Sequence, residues 1–144
     1  MRAPAIVALV LASVFGVISA LHVYWAARGA TGPDGSGAIP MKRDGTALFR
    51  PSRASTLAVA TALAAAAFVV LGRTGVIAPH GMEWIYRAGA WTLGAVLALR
   101  AVGDFRYVGL FKRERDSRFA RLDTRYFTPL CAALAAGVLY LAAA

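Results

Sequence analysis

Apolar positions run in four long blocks, roughly 4–27, 55–71, 84–102 and 126–143, broken by segments where charge, glycine and proline collect. None of the blocks shows the strict alternation of a half-buried strand, and each is longer than a strand needs. A helix rises about 1.5 Å per residue and a bilayer hydrocarbon core is about 30 Å thick, so about 20 apolar residues are required to cross it. All four blocks fall near that length, with the second at the short end. The pattern predicts an all-α fold: a four-helix transmembrane bundle of two hairpins, with both termini on the outer side. Residues 1–144 are expected to form one integral membrane domain.

The breaks carry their own signals. Span one should close at Arg28–Gly29, and the turn-rich run from Gly32 to Gly37 opens a loop that reaches Arg53. Phe49 and the flanking arginines suit an anchor at the headgroups. Ser52 or Ser55 is placed to cap span two, whose alanines (Ala58, Ala60, Ala62, Ala64 to Ala67) favour close helix packing. A short connection, 73–83, precedes span three. The segment 104–125 is charge-dense, with Asp123 and Thr124 where an N-cap for span four belongs and Pro129 in its early turns. A shift of seventy residues sets Lys42-Arg43 on Lys112-Arg113, Phe49 on Phe119, and Ala62, Ala65 and Ala66 on Ala132, Ala135 and Ala136, a weak parallel repeat.

Charge decides the orientation. The chain is 59% hydrophobic with a net charge of +9. Arg28, Lys42, Arg43, Arg50 and Arg53 lie between spans one and two. Arg106, Lys112, Arg113, Arg115, Arg118, Arg121 and Arg125 lie between spans three and four. The other side holds only Arg2, Arg73 and Arg87. Both basic loops should therefore face the cytoplasm. Attraction to anionic membrane lipids accounts for the charge without a nucleic-acid partner. Arg2 and the following apolar run also resemble a secretory signal, but the run is long and lacks a small-x-small cleavage site before His22. A retained first helix in the bacterial cytoplasmic membrane is expected. The single cysteine, Cys131, excludes an intrachain disulfide and reads as a small buried residue.

Three polar groups interrupt the apolar pattern. His22, with Tyr24 and Trp25, lies about 9 Å inside the end of span one, where an imidazole can titrate, hydrogen-bond or ligate. Arg100 and Asp104 are spaced for an ion pair at the inner end of span three, with Tyr107 on the same face if the helix continues. Asp123, Thr124 and Tyr126 start span four at the same depth, so the three groups are expected to converge on one pocket. On the outer side, Glu83 and Arg87 are spaced for a salt bridge and Arg87 and Trp91 for a cation–π contact, with His80 solvated nearby. Phosphate-cradling glycine loops, paired-cysteine metal sites, zinc-protease helices and nucleophile elbows are absent from the sequence. No cofactor is expected, and a haem would have only a single axial His22.

The segments His22-Val-Tyr-Trp25, Phe49-Arg-Pro51, Arg100-Ala-Val-Gly103-Asp104-Phe-Arg-Tyr107-Val-Gly109-Leu-Phe111-Lys112, Phe119-Ala, Asp123-Thr124 and Pro129-Leu-Cys131 carry a resemblance. Together they resemble a bacterial family of small four-span membrane proteins known only as a domain of unknown function. The resemblance covers nearly the whole chain and implies architecture without an activity. The functional expectation rests on the residues alone. It leans toward a binding protein, holding a lipid-like or amphipathic small molecule near the cytoplasmic leaflet; the enzyme question stays open, with His22 or Asp104 as the acid or base of any catalysis. The expected contacts are His22, Tyr24, Trp25, Arg100, Asp104, Tyr107 and Asp123. The alternative is an accessory subunit packed on a larger membrane partner, or a homo-oligomer.

Overall fold

The computed structural model describes residues 3–28, 39–42, 44–77 and 81–144. His80, Arg43 and the glycine-rich run 29–37 lie outside the described residues. Four helices account for most of the described chain: α1 Ala3–Arg28, α2 Arg53–Arg73, α3 Glu83–Val102 and α4 Arg118–Ala143. No strand occurs among the described residues, only an isolated antiparallel bridge between Met41 and Ala47 in the first connector. Helices α1, α2 and α4 are long and apolar enough to cross a membrane. Helix α3 matches them in length but carries Glu83, Arg87 and Arg100 within its 20 residues.

The helices face outward to an unusual degree. Only 17, 22 and 33% of the most apolar stretches of α1, α2 and α4 are buried, so most of their apolar surface looks away from the bundle. Val17, Phe68, Val96 and Leu99 are all more than half exposed. Soluble chains rarely leave such continuous apolar faces, whereas a bilayer supplies the missing apolar neighbour. The protein is a membrane protein with transmembrane-type helices.

The helices pack in a ring, α1 on α2, α2 on α3, α3 on α4 and α4 on α1, and α2 also touches α4 across it. Among the described residues α1 and α3 share no contact. The common core joins Ala8, Leu11 and Phe15 of α1, Ala66 and Val70 of α2, Ala90 of α3, and Leu134, Val138, Leu141 and Ala142 of α4. Small residues set the spacing, as expected where van der Waals contact rather than water expulsion holds helices together. Gly94 of α3 faces Leu139, where an added Cβ would come within 2.5 Å of Cδ2. One polar contact crosses between α1 and α2: the Ser19 hydroxyl donates to the Ala60 carbonyl at 2.8 Å.

Helix ends follow the sequence in part. Ser52 caps α2, its hydroxyl accepting from the Ser55 N–H at 3.0 Å. Helix α4, by contrast, begins at Arg118 under the Ser117 cap, well before the expected start near Tyr126. Asp123 is therefore inside the helix and is not its N-cap. A π-helical segment, Asp123–Phe127, follows, and the Thr128 N–H returns to the Asp123 carbonyl. Pro129 lacks the N–H that would continue the regular ladder, and a wider turn just upstream is one way a helix absorbs that loss.

The seventy-residue repeat does not extend to burial. Lys42 is exposed while Lys112 is 3% exposed, and Ala66 is buried while Ala136 is exposed. On the other end of the bundle, Glu83 accepts a hydrogen bond from the Gly81 N–H. The ring–cation pairs among the described residues are Arg28 with Tyr24, Arg106 with Tyr107 and Arg125 with Tyr126, so the expected Arg87–Trp91 contact does not form.

Candidate functional site

The second connector is a built structure, made from the segment Gly103 to Lys112. Helix α3 stops because Gly103 adopts φ 92°, a left-handed value that glycine tolerates. The chain then turns back under the helix. Gly103 N–H donates to Leu99 O at 2.8 Å, and Leu110 N–H to Ala101 O at 2.9 Å, so carbonyls that a helix end leaves unpaired find donors. Gly109, at φ 89°, lies directly against Gly103. Asp104 holds the turn from inside: its Oδ1 accepts from the N–H groups of Arg106, Tyr107 and Val108 at 2.9, 2.7 and 2.9 Å.

That turn delivers Lys112 to a buried carboxylate. Asp123 has no exposed surface, and each of its oxygens is occupied. Oδ1 accepts from Arg100 Nη2 at 2.7 Å. Oδ2 accepts from Lys112 Nζ at 2.9 Å, from the Gly109 N–H at 2.9 Å and from the Thr128 hydroxyl at 3.0 Å. Lys112 Nζ also donates to the Gly109 carbonyl at 3.0 Å. The node therefore ties the end of α3, the connector and the π segment of α4 into one unit. Two cations meet one carboxylate, so its formal charge is +1. Arg100 keeps 34% of its side chain exposed, yet its Nη1 is withdrawn from solvent and has no acceptor among the described residues.

Several sequence expectations change here. Arg100 pairs with Asp123 and not with Asp104. The i,i+4 pairing needs a continuous helix, and the Gly103 turn carries Asp104 away from the Arg100 face. Tyr107 likewise leaves that face and lies under the Arg106 guanidinium, 5.1 Å from its ring centre. His22 is not brought to the node: it is on α1, which touches neither α3 nor the π segment Asp123–Phe127. Its Nδ1 lies 2.8 Å from the Ile18 carbonyl and its ring meets Trp25 edge-on at 5.0 Å. Tyr24 is 53% exposed, beneath Arg28.

That Lys112, Gly109 and Thr128 meet the Asp123 carboxylate does not follow from the sequence. Lys112 reads as one more cation of a basic loop, and its 11 residues of separation from Asp123, like the 23 of Arg100, cross the non-helical segment 103–117, so no helical spacing applies. Over residues 15–138 the chain matches the family described as Protein of unknown function (DUF3995). It belongs to that family. No curated protein and no solved structure matches the chain. The matched region of this DUF3995 chain contains every residue of the node.

Asp104 gives the connector a pH dependence. Partial burial opposes its ionisation, but the backbone N–H groups of Val108, Arg106 and Tyr107 outweigh that and hold its carboxyl below the ordinary 3.8. A depressed folded value contributes stability above the unfolded value, and that contribution is lost as pH falls through the folded value. The midpoint of thermal unfolding of the wild type should exceed that of Asp104→Asn by a constant amount above about pH 5. That gap should close as pH drops below 3.8. A gap that stays unchanged down to pH 2 would mean that the turn does not depend on the charge.

Proposed function

We propose that the chain is a four-span protein of the bacterial cytoplasmic membrane, and that its node receives the anionic head of a lipid-like or amphipathic molecule. The observation that carries the binding reading is Arg100: a guanidinium nitrogen withdrawn from water without an acceptor, in a cluster of net charge +1. A buried N–H without a partner is costly, and a phosphate or carboxylate oxygen would supply one. The four-span reading is supported by α3, which has span length and keeps its charges near its ends, Glu83 and Arg87 in its first five residues and Arg100 in its last turn, where snorkelling is cheap. Four spans would put both termini on one side, and the excess of basic residues in the connectors beginning after Arg28 and Val102 supports an inside location for those connectors.

In this reading Arg100 and Asp123 form the polar end of the site, and Lys112 neutralises the carboxylate from behind. Asp104 and Tyr107 belong to the turn that presents them. His22, Tyr24 and Trp25 lie at the same end on α1, as interfacial side chains. The site binds; nothing in it resembles an activated nucleophile or an acid–base pair with room for a substrate.

Native mass spectrometry of protein released in mild detergent tests this. The wild type should carry a stoichiometric amphiphile bearing a phosphate or carboxylate. Arg100→Lys keeps the charge facing Asp123 but removes the second donor of the guanidinium fork, and should lower occupancy about tenfold with helicity retained. Equal occupancy in both proteins would sink the binding site. A ligand-free complex with another membrane protein would favour the accessory-subunit alternative, for which the outward Ala58, Ala62, Ala132 and Ala136 are suited.

A further inference from the structure

The connector that builds the node also presents three large apolar side chains that are more than half exposed among the described residues. Phe105, Leu110 and Phe111 are 57, 58 and 58% exposed. The Phe105 and Phe111 rings stack with centroids 6.1 Å apart and planes inclined by 23°. Phe105 is the one described non-glycine residue with positive φ, at 61°. A backbone conformation that L-residues disfavour is held there by the Asp104 hydrogen bonds on either side of the exposed ring. A loose loop would relax this conformation and fold its rings onto the bundle.

We infer that Phe105, Leu110 and Phe111 form a rigid wedge seated in the phospholipid leaflet at the end of α3, below the plane of the phosphates. Two observations select lipid as the occupant. First, the returning segment is bonded to the last turn of α3, Leu110 to Ala101 and Phe111 to Val102, so the apolar side chains are held at the level of the helix end. The same helix exposes 69% of Leu99 one turn earlier, which continues the apolar face upward. Second, the rim carries guanidinium groups. Arg106 and Arg113 are exposed and adjacent, the Arg113 N–H donating to the Arg106 carbonyl at 3.2 Å, and they line a shallow depression of about 510 Å³ with Phe105, Asp104 and Glu114, where Asp104 already accepts three backbone N–H groups. Apolar side chains below and guanidinium groups above match the layering of acyl chain and phosphate. The wedge would set the depth of the connector and hence of the node above it. It rests on the membrane reading but not on a ligand at Arg100.

The test uses the full chain in vesicles of phosphatidylcholine and phosphatidylglycerol, with acyl chains brominated near the headgroup or unbrominated. Phe105→Trp and Phe111→Trp keep an aromatic ring in place, and Lys42→Trp in the other connector serves as the comparison. Brominated chains should quench the added emission of the first two variants roughly twofold or more, and that of the third far less. Quenching of the native Trp84 and Trp91, 70 and 47% exposed, reports separately that the spans are in the bilayer. If those are quenched while the new residues are not, the wedge is overturned and the membrane reading stands. Unquenched, red-shifted emission would place the rings in water, and unquenched, blue-shifted emission would place them against a second copy or a partner protein. Either result overturns the proposal.

Discussion

Asp123→Asn is expected to lower the stability of the bundle by about 3–5 kcal/mol, the usual cost of leaving a buried charge unpaired. The group left unpaired is Lys112, whose side chain is 2% exposed and whose other hydrogen bond is to a single carbonyl. Arg100 contributes less to the loss because a third of its side chain already reaches the surface. Denaturation midpoints in detergent would show the effect. Asp123→Asn combined with Lys112→Met should recover part of it, since no unpaired ammonium then remains. A change in Asp123→Asn no larger than about 0.5 kcal/mol would mean that Lys112 reaches water in the variant and that the node is not closed.

Gly109→Ala is expected to open the connector. An added Cβ would lie within 2.5 Å of the Val102 carbonyl and 2.6 Å of Gly103 N, both backbone atoms that no rotamer change can move. The left-handed backbone itself costs an L-residue about 1–2 kcal/mol. Displacing Gly109 also withdraws its N–H from Asp123 and its carbonyl from Lys112. The total should exceed about 2 kcal/mol, and trypsin should cut faster after Arg106 and Arg113. Gly45→Ala provides the comparison: its φ is 79°, but nothing lies within 4 Å of the added Cβ, so only the backbone penalty applies. Similar losses in the two variants would show that the Gly103–Gly109 contact does not hold the turn.

Both effects are large for the same reason. The connector is a cap that closes the α3 end with its own backbone and delivers a lysine to a carboxylate in α4. Its polar groups are almost all satisfied, so little can be removed without leaving a neighbour buried and unpaired. Arg100 Nη1 is the exception, and that is why it marks the candidate binding position.

Four helices could be read from the chain because apolar blocks of span length are a local property, and a membrane requires them to be helical. Their caps were partly legible for the same reason: Ser52 acts through a group within a few residues of itself. The start of α4 was not legible, because Phe119 and Ala120 are buried only by the fold, and Arg118, Arg121 and Arg125 around them hid a helix that tertiary contact extends. Arg100 and Asp123 were identifiable as charges out of place in an apolar pattern, but their pairing was not. The local rule joined Arg100 to Asp104; the glycine turn broke that geometry and packing of α3 on α4 supplied the other partner. The sequence alone therefore determined a helical membrane protein with its cations gathered at one end. Which cation meets which carboxylate, and that a charge-rich loop holds three apolar side chains outward, was decided by contacts between segments that no spacing along the chain encodes.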